Sequence, residues 1–267
     1  MPADWLPAGI DPFAGISLLA IVGVAAMHGF GCFIRGAFGF GSNLPIVLVT
    51  TFILGPHHAI LLAVMTTVVA QTNLLKQGVR TAEWPVARPL LIGQVAGVVA
   101  GTWAFTVLAP EWLTLILGLL IGTIVVMDRL QLMARLHRIV DLRARPICSA
   151  LAFTGSTVGS ISGGGGLYFL VAYLKLVCTS PAGLRGTNLV LSNVFLAVRI
   201  IALLVAGLIT PTLVVEGLIL APVALLATRA GSRMFHRTSP ARFYFAIQGL
   251  LLFGAAALVV RGVIRLA

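Results

Sequence analysis

The chain has 267 residues, of which 59% are hydrophobic and 9% charged, with a mean hydropathy of +1.08. A soluble domain carries about 25% charged residues, so an ordinary water-soluble fold is excluded. The net charge of +11 would point to nucleic acid in a soluble protein. Here most basic residues sit between apolar segments, where the positive-inside rule accounts for them. The expected partner is therefore the lipid bilayer, with no nucleic acid.

The opening Met1-Pro-Ala-Asp4-Trp5 has no basic n-region, so no cleavable signal peptide is expected. A first apolar segment covers about 13–35 and runs into a glycine-rich break, Gly36-Ala-Phe-Gly39-Phe-Gly41-Ser42-Asn43-Leu44-Pro45. Segments follow at about 42–54, 57–75, 85–108 and 112–127, then a basic stretch from Asp128 to Arg145. The second half opens with segments at about 146–162 and 165–177. They meet at a second break, Gly159-Ser-Ile-Ser-Gly163-Gly164-Gly165-Gly166-Leu167-Tyr168. The last three segments cover about 183–209, 213–230 and 243–264. A full span needs about 20 residues, so 42–54 and 165–177 are predicted to be short or re-entrant helices. Cys32, Cys148 and Cys178 are scattered and read as free thiols.

The halves resemble one another. At an offset of 123, Gly36 matches Gly159, Gly41 matches Gly164, Leu44 matches Leu167 and Ala59 matches Ala182. At an offset of 130, Ala100-Gly101-Thr102 matches Ala230-Gly231-Ser232, Phe105 matches Phe235 and Pro110 matches Pro240. Lys76, Arg80 and Arg88, the arginines of 129–145, and Arg233, Arg237 and Arg242 place three loops on the cytoplasmic side. That pattern fits five crossings per half, which inverts the second copy. Four crossings per half would give parallel repeats and split those basic loops between the two sides. The predicted fold is therefore an all-α polytopic membrane protein with two inverted repeats of about five segments. It forms one transmembrane domain over 1–267, with repeats at about 13–127 and 146–265 and a cytoplasmic linker at about 128–145. Inverted repeats commonly build alternating access around a midplane site.

A break inside a membrane helix frees backbone N–H and C=O groups that lipid cannot satisfy, so it survives only when buried in protein or facing a polar cavity. Each break also starts a helix, whose unpaired N–H groups and positive dipole end suit a small oxyanion. Gly39, Gly41, Gly163, Gly164, Gly165 and Gly166 allow close backbone approach, and Ser42 and Asn43 add donors. The competing reading is that these glycines serve only tight helix packing. Thr187, Asn188 and Ser192 open the 183–209 segment, and Asn188 and Ser192 share a helix face. Thr67 and Gln71 share a face in the same way. Arg199 is a basic residue deep in an apolar run, and an intramembrane arginine is by default a functional candidate. Its alignment with Lys76 offers a rival reading in which it snorkels at the outer interface. Arg35, beside the first break, has similar standing.

His28 is a lone histidine within a helix, and His57-His58 lack Cys or acidic company, so no metal site is expected. No cofactor is expected either. The acidic residues, among them Glu83 and Glu216, lie near loops or segment ends, which speaks against a carboxylate relay. Ser160-Ile-Ser162-Gly163 lacks the glycine a nucleophile turn needs, so an intramembrane hydrolase is disfavoured. A passive anion channel shares the same electrostatics and remains the alternative to a transporter.

At this point the residues resemble the TauE/SafE-type sulfite exporters, the sulfonate-uptake permease family. The resemblance rests on Gly39-Phe-Gly-Ser-Asn-Leu-Pro45 with Gly55-Pro-His-His-Ala59, and on Gly163-Gly-Gly-Gly-Leu167 with Ser180-Pro-Ala182 and Gly186-Thr-Asn188. It covers about 15–260. The first copy departs from the family's fuller glycine run at Ser42-Asn43. The resemblance implies a bacterial inner-membrane permease for sulfite, sulfonates or related small anions, with neither substrate nor direction fixed. A homodimer is compatible with it, because lipid-facing surfaces look much like dimer faces.

Overall fold

The computed structural model describes residues 10–130, 144–164, 167–234 and 240–266. Most of the basic stretch at 128–145 lies outside them. Every regular element among the described residues is an α-helix. In chain order these are α1 (Leu18–Phe38), α2 (Asn43–Leu54), α3 (Pro56–Thr81), α4 (Trp84–Val107), α5 (Pro110–Arg129), α6 (Arg145–Ile161), α7 (Leu167–Val177), α8 (Pro181–Val205), α9 (Pro211–Met234) and α10 (Pro240–Leu266). Six of them, α1, α3, α4, α5, α8 and α9, are long and apolar enough to cross a membrane. The two short segments stay short: α2 has 12 residues and α7 has 11. At about 1.5 Å per residue neither helix by itself covers a hydrocarbon core about 30 Å thick, so any crossing there includes the adjoining break.

Proline and glycine set these boundaries. Pro56, Pro110, Pro181, Pro211 and Pro240 each begin a helix, where a fixed φ helps and the missing N–H costs nothing. Ser17 and Ser180 cap α1 and α8, their hydroxyls accepting from Ala20 N at 3.3 Å and Gly183 N at 3.0 Å. Gly39 ends α1 with a φ of 80°, a left-handed conformation that favours glycine. The exterior is apolar: Leu19, Ile92, Trp103, Val205 and Phe253 are strongly exposed, a surface that suits lipid.

The helices pack across the two halves. α4 lies on α6 and on α8, while α1 and α3 lie on α9. α3 pairs with α8, and α5 with α10. Within the halves, α2 packs on α1 and α3, and α7 packs on α6 and α8. Small residues make the closest approaches. Gly93, Gly97 and Gly101 form one face of α4 against the backbone of α6 at Ser149, Phe153 and Thr157. Gly36, which the sequence groups with the first break, is still helical and lies against the Thr228 backbone of α9.

Two carboxylates tie the ends of this bundle together. Beyond the end of α3, Glu83 accepts from the Thr179 backbone N–H and hydroxyl, both at 3.0 Å, in the turn between α7 and α8. At the other end of α3, a helix of 26 residues or about 39 Å, His58 Nε2 meets Glu216 Oε2 of α9 at 2.6 Å. His58 therefore does have acidic company, from a residue 158 positions away. Glu216 is buried and also accepts from Phe13 N at 2.8 Å. Glu216→Ala leaves that buried N–H unpaired, and should cost about 1–3 kcal/mol. Thermal unfolding in detergent checks this. Glu216→Gln, which keeps an acceptor for Phe13, should lose less, and equal losses would count against the Phe13 contact.

Candidate functional site

The first break is built around Asn43. α1 ends at Phe38, the chain turns through Gly39 and Gly41 at φ of 80° and 94°, and α2 starts at Asn43. The turn brings Arg35, at the end of α1, back over the start of α2. Arg35 Nε donates to Ser42 Oγ at 2.6 Å, and Arg35 Nη2 donates to Asn43 Oδ1 at 3.1 Å. Arg35 Nη1 donates to Gln71 Oε1. Asn43 Oδ1 also accepts from Ser42 Oγ at 2.6 Å and from Thr67 Oγ1 at 2.9 Å. Thr67 and Gln71 thus use their shared face of α3 to support the break. A cation, two hydroxyls and two amides converge here with almost no exposure, so each interaction is stronger than it would be in water. Pro45 has no N–H, so the first turn of α2 offers the Asn43 and Leu44 N–H groups and one donor fewer than most helix starts.

The second break lies directly against the first. α6 ends at Ile161, and Gly163 and Gly164 follow at φ of 73° and 113°. Gly165 and Gly166 lie outside the described residues, and α7 begins at Leu167. Asn43 Nδ2 donates to Gly163 O at 2.6 Å. From α8, Asn188 Nδ2 donates to Gly39 O at 2.9 Å. Each break therefore receives an asparagine donor from the other half. Ser192, one turn beyond Asn188, is buried on the same side of α8.

The remaining candidates sit around this centre. Thr187 turns away from it and accepts from Glu83 N at 2.9 Å, at the α3–α4 turn. Arg199 is fully buried between Phe105 and Phe195, with its guanidinium 5.9 Å and 5.8 Å from their ring centroids. The side chain is therefore held inside the bundle rather than snorkelling out of it. Its Nη2 donates to Ser160 O at 2.6 Å and its Nη1 to Gly159 O at 3.3 Å. These are carbonyls of the last turn of α6, the negative end of its dipole. Arg185 does the same for α1, with Nη2 donating to Gly36 O at 2.8 Å. Gly36 and Gly159 are the glycines that match at the offset of 123. Arg185 thus has a structural task that the sequence reading did not give it. The signal was available: Arg185 and Arg199 lie four helical turns apart on α8, one for each break.

Apolar helices broken twice and wrapped in an apolar exterior define a multi-pass membrane protein. A family comparison identifies the kind. The chain belongs to the sulfite exporter TauE/SafE family, whose family model matches residues 19–258. Its members are membrane transporters rather than enzymes, and membership implies transport of sulfite or a related sulfur anion. No curated protein and no solved structure matches the chain.

Proposed function

We propose that the chain is a permease that exports sulfite, a sulfonate or a related small oxyanion across a bacterial inner membrane by alternating access. The crossed contacts Asn43–Gly163 and Asn188–Gly39 carry this reading. They join two chain breaks into one polar centre where backbone N–H groups, Ser42, Asn43 and the Arg35 charge can meet an anion. Gly39, Gly41, Gly163, Gly164 and the adjoining Gly165 and Gly166 admit the substrate close to the backbone, with Asn188 and Ser192 on its α8 side and Arg199 at the end of α6. The packing supports two matched halves at about 13–127 and 146–265 within one domain, and we read them as inverted repeats, joined by a cytoplasmic linker at about 128–145, because an inverted pair keeps the three basic loops on one side. Exchanging α1–α5 with α6–α10 turns α4 on α6 into α9 on α1, α4 on α8 into α9 on α3, and leaves the α3–α8 and α5–α10 pairs unchanged. A two-fold pseudo-axis through the breaks has this property, and it lets one arrangement open to either side.

Export needs no coupling ion in this scheme. An inside-negative potential drives a monovalent anion outward with about 2.3 kcal/mol per 100 mV. Proteoliposomes loaded with sulfite should show saturable efflux that accelerates when an inside-negative potential is imposed and slows in the presence of sulfonates. Flux that rises linearly without saturation would indicate a passive channel. An absence of sulfite flux at every potential would refute the proposal.

A further inference from the structure

Buried polar side-chain atoms in native proteins almost always have a hydrogen-bond partner. In this bundle the exceptions gather in one seam. Gln94 Oε1 and Thr102 Oγ1 on α4, Ser156 Oγ and Ser160 Oγ on α6, and Asn188 Oδ1 and Arg199 Nε on α8 are buried without a partner. Among the described residues His28 Nε2 is the one comparable atom away from α4, α6 and α8 that has no partner. The three helices pack on one another around these groups. Gln94 Nε2 donates to Leu191 O of α8 at 2.6 Å, and Arg199 holds the Ser160 carbonyl of α6 at 2.6 Å. Phe105, one turn beyond Thr102 on α4, lies against Arg199. Arg199 is fully buried, and among the described residues no carboxylate pairs with it. A buried cation in an apolar bundle is stabilised by an anion far better than by carbonyl dipoles alone.

We infer that the α4–α6–α8 seam is a leg of the transport route. It runs from Asn188 at the paired breaks to Arg199, and it is closed in this conformation. When the helices part, the orphaned hydroxyls and amides hydrate, and Arg199 serves as the counter-ion for an oxyanion in passage. Thr102, Ser156 and Ser160 line this leg. The inference rests on the anion-permease reading but is tested independently of transport.

The test replaces Cys32, Cys148 and Cys178 with alanine and introduces Ser156→Cys or Thr102→Cys. Sealed vesicles are then labelled from each side with two membrane-impermeant methanethiosulfonates, one carrying a sulfonate and one a quaternary ammonium. The sulfonate reagent should react at least about tenfold faster at either position, as expected when a fixed cation concentrates anions in a confined path. Arg199→Gln should bring the two rates together, and Arg199→Lys should keep the preference and so exclude a folding artefact. Ala224→Cys on α9 is buried outside the seam and should stay unlabelled. Absence of labelling in the seam, equal rates for the two reagents with Arg199 present, or matching reactivity at position 224 would each overturn the proposal. Sulfite efflux from the same cysteine variants, measured separately, shows whether the permease reading stands if the labelling result fails.

Discussion

The Gly164→Leu protein is expected to reach the membrane in normal amounts and to move sulfite at least about a hundredfold more slowly than the parent. Insertion depends on the hydrophobicity of the helices, which this change does not lower. The centre does depend on Gly164. Its φ of 113° strains any residue with a side chain, at about 1–3 kcal/mol. An added Cβ would also stand 2.9 Å from Asn43 Nδ2 and 3.2 Å from Asn43 Cβ. A leucine there pushes the amide off Gly163 O, and leaving that buried pair unmade costs a further ~1–3 kcal/mol. A loss of about 2.8 kcal/mol from the working arrangement already corresponds to a hundredfold. Gly164→Ala should fall between the two. Efflux from proteoliposomes, normalised to folded protein, is the measurement. Parental rates in the leucine variant would remove the breaks from the transport mechanism.

The second large effect is on folding. Gly97→Leu should lower the thermal midpoint in detergent by several degrees or prevent recovery of folded protein. A Cβ at Gly97 would lie 2.9 Å from Phe153 Cα and 3.0 Å from the Phe153 carbonyl carbon. That is backbone on both sides, so no side chain can swing aside. In lipid, helix association depends on close packing rather than on a hydrophobic driving force, and overpacking costs about 1–3 kcal/mol or more. Gly23→Leu is the matched control. A Cβ at Gly23 meets nothing within 4 Å, and its midpoint should stay close to the parent's. If both variants melt together, α4 and α6 do not approach as closely as described.

Much of the fold could be read from local chemistry. Proline at the first helical position and glycine at the breaks mark ends that depend only on neighbouring residues, so the short segments at 42–54 and 165–177 correspond to α2 and α7. Partner choice could not be read in this way. The Gly93, Gly97 and Gly101 face is visible in the sequence, but nothing local says that it meets α6 rather than lipid or another helix. The Glu216–His58 pair escaped for the same reason, since a carboxylate near one segment end gives no sign of a histidine near another. Arg199 was ambiguous because the same apolar run fits both an interfacial and a buried arginine. Phe105, which covers it, comes from α4. The candidate site was legible as two breaks and a set of polar residues. That Asn43 would reach across to Gly163 while Thr187 turned to Glu83 depended on how the halves interlock.

That interlocking bears on how the protein is made. α1 and α4 are among the earliest helices to leave the ribosome, yet the surfaces they pack against belong to α9 and α6, which begin at Pro211 and Arg145. Until those arrive, the glycine face of α4 has only lipid or a temporary neighbour to rest on. The first half of the chain is therefore a waiting intermediate rather than a finished unit. Chaperones and proteases of the membrane have longest access to it while synthesis runs from α5 towards α6 and α9.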